Sequence, residues 1–122
     1  DAAAEADVLI ATTGVVGLIT PEMVRDGQIV LALSNPVPEI TPEAAIEAGA
    51  AFAADGRSVN NALAFPGLFK AALDVGAPAI TSAMKIAAAE AISELAPAGE
   101  LVPSPFDPRV HDHVTAVVTR AA

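Results

Sequence analysis

The chain has 122 residues, one domain's worth of sequence, with 53% hydrophobic residues, a net charge of −9 and no cysteine. A mean hydropathy of +0.53 argues against general disorder. The missing cysteines exclude disulfides, thiolate catalysis and Cys-type metal sites, and fit a reducing, cytoplasmic setting.

The basic residues number six and are scattered, and the aromatics are four Phe. No nucleic-acid partner is expected, because a duplex needs a basic footprint and a single strand needs stacking aromatics. No apolar run approaches the roughly 20 residues that cross a bilayer, and no charged n-region precedes an apolar h-region. Neither a membrane span nor a signal peptide is read. The chain opens on Asp1 inside an expected short helix, Ala2 to Ala6, which reads as a piece of a longer polypeptide.

Three apolar runs follow, each ending in polar residues: Asp7 to Thr13, Gln28 to Ser34 and Ala50 to Asp55. They do not alternate polar and apolar, which is how strands buried on both faces of a parallel sheet read. Between them lie two matching helix starts, Thr20-Pro21-Glu22 stopping at Gly27 and Thr41-Pro42-Glu43 stopping at Gly49. Thr caps, Pro occupies the first helical position, Glu meets the positive end of the helix dipole and Gly closes the end. Residues 1–58 therefore read as a β-α-β-α-β unit.

Residues 59–122 read as helical. Leu68 to Asp74 follows Phe65-Pro66-Gly67 and is stopped by Gly76 and Pro78. Thr81 or Ser82 caps a second helix, with Met84, Ala88, Ala91 and Leu95 along one face and Ile92 beside them. Leu101 to Pro108 carries three prolines and is expected as an extended surface segment. His111 to Ala121 is the last helix.

In an open parallel α/β sheet, ligands bind beyond the carboxyl ends of the strands. Three such ends are expected on one edge: Thr12-Thr13-Gly14, Ser34-Asn35-Pro36 and Asp55-Gly56-Arg57, with Asn60 and Asn61 a few residues on. Thr, Ser and Asn with few carboxylates suit an anionic or polyhydroxylated ligand. Asn-Pro and Asp-Gly are also turn formers, and Asn-Asn before a helix can serve as a cap alone. Spacing by itself reaches a nucleotide-type cleft and no reaction. His111-Asp112-His113 is no metal site on this reading, because helical residues two apart point to different faces. Glu90 and Glu94 read as a solvated face.

The stretches ADVLIATTGVVGLITPEMV (6–24), GQIVLALSNPVPEITPEAA (27–45), GRSVNNALAFPGLFKAAL (56–73) and LVPSPFDPRV (101–110) together resemble the carboxyl-terminal part of bacterial malic enzymes. The resemblance covers essentially the whole chain, and its SNPxPEITPE and NNxLAFPGxF motifs are specific to that family. It implies an α/β fold, the distal half of a Rossmann-like parallel sheet followed by C-terminal helices. It also implies oxidation and decarboxylation of L-malate to pyruvate and CO₂ with NAD or NADP, assisted by Mg²⁺ or Mn²⁺. The complete enzyme is expected to be a cytoplasmic homo-oligomer.

By that resemblance Thr12, Thr13, Gly14, Asn35 and Asn60 contact the cofactor, and Asn35 and Asn61 contact the substrate. Pro36 is expected to hold Asn35 extended at the sheet edge, its amide aimed at both. Many relatives carry an Asp-x-Pro-Asn-Gln insert before the Asn pair, whereas here Val59 alone separates Ser58 from Asn60. The family's general-acid Tyr is absent. Its catalytic Lys and acidic metal ligands belong to motifs upstream of these residues, so no catalytic or metal-binding residue is assigned to this chain. The G-x-G-x-x-G phosphate loop is also missing, since Gly14 and Gly17 lack the third glycine and the immediate helix. Two other readings stay open: a cofactor domain of another Rossmann-type dehydrogenase, and a non-catalytic association module built on an incomplete sheet.

Overall fold

A computed structural model describes residues 2–59 and 61–122. The chain forms two compact units, residues 1–59 and 60–122.

The first unit begins with the short helix α1 (Ala2–Glu5) and holds strands β1 (Val8–Ala11), β2 (Ile29–Ala32) and β3 (Phe52–Asp55), with helix α2 (Pro42–Glu47) between β2 and β3. The strands form one parallel sheet in the order β1-β2-β3, with Val8, Ile29 and Phe52 in register at one end and Ala11, Ala32 and Asp55 at the other. One face of the sheet carries Leu9, Ala11, Val30 and Ala32 into a core completed by Ile19, Ile40, Ala45 and Ala50. The opposite face leaves Val8, Ile10 and Ile29 exposed by 46%, 61% and 38%.

The two helix starts with matching letters do not behave alike. Thr41 caps α2 through Ala44 N–H at 3.2 Å, and Ala45 is fully buried on the sheet side. The segment after Thr20 is instead a single 3-10 turn, Pro21–Met23, so the first crossover carries no α-helix. Thr20 makes no cap bond; its hydroxyl lies at the Glu22 carboxyl and lowers that group's pKa. Val24 is already extended, and both Met23 and Val24 are packed against the core cluster.

At the amino ends of the strands the fully buried Gln28 ties the chain together. Its Nε2 donates to the carbonyls of Ala3 (2.7 Å) and Ala6 (2.8 Å), and its Oε1 accepts from Arg25 N–H at 3.2 Å. Gly49 lies at φ +109°, and a Cβ there would fall on the Asp26 carboxylate.

The second unit packs α3 (Phe65–Asp74), α4 (Ser82–Glu94) and α5 (Arg109–Ala121) around Leu63, Ala71, Met84, Ala88, Ala91, Val110, Val114 and Val118. Thr81 is the cap of α4, accepting from Met84 N–H at 3.2 Å. Met84, Ala88 and Ala91 are buried, with Leu95 and Ile92 partly so, as the stripe predicts. His113 Nε2 and Glu94 Oε2 meet at 2.8 Å, linking α5 to α4, so Glu94 is partnered rather than simply solvated. Residues 101–108 are not a plain extended surface segment: Asp107 N–H closes a turn on the Ser104 carbonyl at 3.0 Å, and Pro103 is fully buried. No helix among the described residues is long and apolar enough to cross a membrane.

Candidate functional site

Parallel order places the three strand ends side by side, and short polar bonds fasten them to one another. The organiser is Glu39, which lies between β2 and α2 and is fully buried. Its Oε1 accepts from Thr13 N–H (2.6 Å), the Thr13 hydroxyl (2.8 Å) and the Ser34 hydroxyl (2.6 Å). Ser34 Oγ in turn accepts from Gly14 N–H at 2.8 Å, and Thr13 Oγ1 from Val15 N–H at 3.2 Å. Burial pushes the Glu39 carboxyl pKa up, but the Ser34 and Thr13 hydrogen bonds outweigh it and hold the group at about 2. The charge therefore persists at neutral pH, enclosed and neutralised by dipoles rather than by a cation. Its Oε2 is also buried and has no hydrogen-bond partner among the described residues.

The ends of β2 and β3 are joined differently. Asn35 Nδ2 donates to the Gly56 carbonyl at 3.3 Å, and Arg57 Nη2 donates to the Pro36 carbonyl at 3.3 Å. A Cβ at Gly56 would fall on the Leu33 carbonyl and within 2.8 Å of Asn35 Nδ2, so only glycine permits this approach. Asp55 turns back on its own loop, its Oδ1 accepting from Arg57 N–H (3.0 Å), Ser58 N–H (3.0 Å) and the Ser58 hydroxyl (2.8 Å). Burial raises its pKa, and the Ser58 and Arg57 bonds bring it below the ordinary carboxylate value. Asp55 thus serves the turn, as Asp-Gly sequences commonly do.

Of the residues expected at the site, Thr12, Thr13, Gly14 and Asn35 lie together on this edge and are exposed. Asn35 sits in a bend, and its bond to Pro36 is cis. Asn61 opens the 3-10 turn Asn61–Leu63 of the second unit, and Asn60 lies outside the described residues. Sequence reasoning passed over Glu39. In the run Pro38-Glu39-Ile40-Thr41-Pro42 it reads as one more acid before a helix, and its donors stand 26 and 5 residues away.

The edge suits a nicotinamide dinucleotide in kind. Gly14 has φ +71° with nothing within 4 Å of where a Cβ would stand, so a ligand can approach the backbone there. The nearest carboxylates are withdrawn, Glu39 into the network and Asp55 into its turn, while Asn35 and Thr12 stay exposed. A divalent cation is not suited in the same way: no group of three or more His, Asp or Glu able to hold one occurs among the described residues.

No protein-family model matches the chain. It is 59% identical over 116 residues to the NAD-dependent malic enzyme 1 of Bacillus subtilis, covering 95% of this chain and 26% of that protein. It is 39% identical over 145 aligned positions to the NADP-dependent malic enzyme of Escherichia coli, covering 96% of this chain and 19% of that one. Among solved structures, a malic enzyme from Pyrococcus horikoshii superposes with a TM-score of 0.89 at 43% identity, covering 98% of this chain and 30% of that one. An NAD-dependent malic enzyme from Thermotoga maritima gives 0.88 at 40% identity, covering 99% and 34%. The chain therefore spans between a fifth and a third of the length of these proteins.

Proposed function

This chain belongs to the malic enzyme family, and we propose that within a complete polypeptide it forms the nicotinamide side of a dinucleotide-binding domain. The reaction served is oxidative decarboxylation of L-malate to pyruvate and CO₂ with reduction of NAD⁺ or NADP⁺. The observation that carries this reading is the fastened edge of three parallel strand ends, at which Asn35 is held by Gly56 and carboxylates are withdrawn.

A nicotinamide bound at this edge would supply the acceptor for the hydride leaving the substrate carbon. The chain's own residues position and select. Asn35 commits one amide N–H to Gly56, and a primary amide has a second N–H and a carbonyl oxygen with which to meet ligand groups. A neutral amide can hold a dicarboxylate that Asp would repel. The Thr12-Thr13-Gly14 backbone offers an open approach beside the ribose and nicotinamide. Asn60 contributes to cofactor binding and Asn61 to malate binding. Mg²⁺ or Mn²⁺ is held by residues outside this chain, as are the general acid and base. Both NAD- and NADP-dependent relatives resemble the chain, so the dinucleotide is assigned only as NAD or NADP. The complete enzyme is read as a cytoplasmic homo-oligomer.

The test is Asn35→Ala in a complete enzyme carrying this segment. Loss of the amide is expected to lower kcat/KM by about tenfold or more, which corresponds to about 1.4 kcal/mol of transition-state stabilisation. If kcat and both KM values stay within about twofold, Asn35 does not touch the reacting groups, and the reading of this edge fails.

A further inference from the structure

Glu39 is an expensive residue for a merely structural joint. A buried carboxylate without a cation is costly unless hydrogen bonds replace its lost hydration. Its three side-chain bonds come from the ligand-facing ends, Thr13 on the β1 exit and Ser34 on the β2 exit; none comes from the core or from α2. Through Ser34 the same carboxylate orients Gly14 N–H, and through Thr13 it orients Val15 N–H. Both hydroxyl protons and the Thr13 N–H are spent on Glu39. Neither hydroxyl is then a donor to a ligand, and the groups facing outward are Thr12, the Gly14 backbone and the neighbouring Asn35.

We propose that Glu39 is a positioning residue for dinucleotide binding, holding the Thr13–Gly14 backbone at the end of β1 in fixed relation to Ser34 and Asn35 at the end of β2. This rests on the reading that the edge receives a nicotinamide dinucleotide. Glu39 touches no ligand itself. It sets where two separate loops present their groups, and a displacement of about 1 Å in such a site lowers activity by up to about a hundredfold.

The experiment is Glu39→Gln in a complete enzyme carrying this segment, with steady-state constants for both substrates and direct binding of NADH followed by fluorescence. Gln keeps the shape and one acceptor oxygen but removes the charge that holds three donors on one atom. The expected result is a rise of about tenfold in dinucleotide KM and NADH Kd, with malate KM within about twofold. Ser34→Ala, which removes one of the donors and is the milder change, is expected to move the same constants by a smaller factor. The double variant should fall short of the product of the two effects, because both act through one network. If Glu39→Gln is insoluble, Ser34→Ala alone decides. Dinucleotide constants that stay within about twofold while thermal stability drops would overturn the proposal, leaving Glu39 a structural joint. Failure of the parent enzyme to bind either NADH or NADPH, or to reduce either NAD⁺ or NADP⁺ with malate, would overturn the reading of the edge instead.

Discussion

Glu39 keeps its negative charge inside the protein with hydroxyl and amide dipoles alone, and that arrangement has a pH dependence of definite sign. Burial raises its pKa, the Ser34 and Thr13 bonds lower it further than burial raises it, and the folded group titrates at about 2 against an ordinary 4.5. A carboxyl whose pKa is depressed on folding contributes its full stability above the unfolded value and loses it as protons bind. The contribution is thus complete above about pH 4.5 and fades between there and about pH 2. Glu39→Gln is expected to unfold about 2 kcal/mol more readily than the parent at neutral pH, the scale of a hydrogen bond to a charged acceptor. The gap between the two should close through that acid window, as read from denaturant midpoints. Asp107, also held at about 2 by Arg109, and Asp55 titrate alike in both proteins, so they cancel from the comparison.

Among the elements, α3 and α5 meet at a contact that depends on one missing methyl group. A Cβ on Gly67 would lie 2.9 Å from the His111 carbonyl and 2.9 Å from Val114, itself fully buried. Gly67→Ala is expected to destabilise the fold by about 1–3 kcal/mol, seen as a lower urea midpoint, because a packed core must shift to admit the group. Phe65-Pro66-Gly67 looks like the approach to a helix, yet the helix begins at Phe65 and the glycine lies inside it, chosen for what packs upon it. That distinction marks the limit of reading elements from sequence. The strands, α2 and the stripe of α4 were legible because apolar runs, caps and 3.6-residue spacing are local properties. Thr20-Pro21-Glu22 carried the same local signal as Thr41-Pro42-Glu43 but forms only the 3-10 turn Pro21–Met23, with Met23 and Val24 packed on the core. The polar edge of the sheet was legible as three strand ends. Glu39, which assembles that edge, was not, since its role comes from residues distant in sequence.

For the molecule as a whole, the far face of the sheet is left partly open. Parallel sheets are ordinarily covered on both, yet Val8, Ile10 and Ile29 stand exposed on the far face, and β1 is an outer strand with an unpaired edge. The 122-residue chain produced alone is expected to associate as its concentration rises, and Ile10→Lys to suppress this, as measured by sedimentation velocity. A parent chain that stays monomeric at all concentrations would count against an adhesive face. The sheet is also fastened at its two ends by different chemistry. Gln28 grips the amino ends with a neutral amide that has no proton to gain in this range, whereas Glu39 grips the carboxyl ends with a carboxylate. Strong acid therefore does not loosen the sheet evenly. It acts on the carboxyl-end clasp, where Glu39 takes up a proton and releases Thr13 and Ser34, and leaves the Gln28 amide as it was.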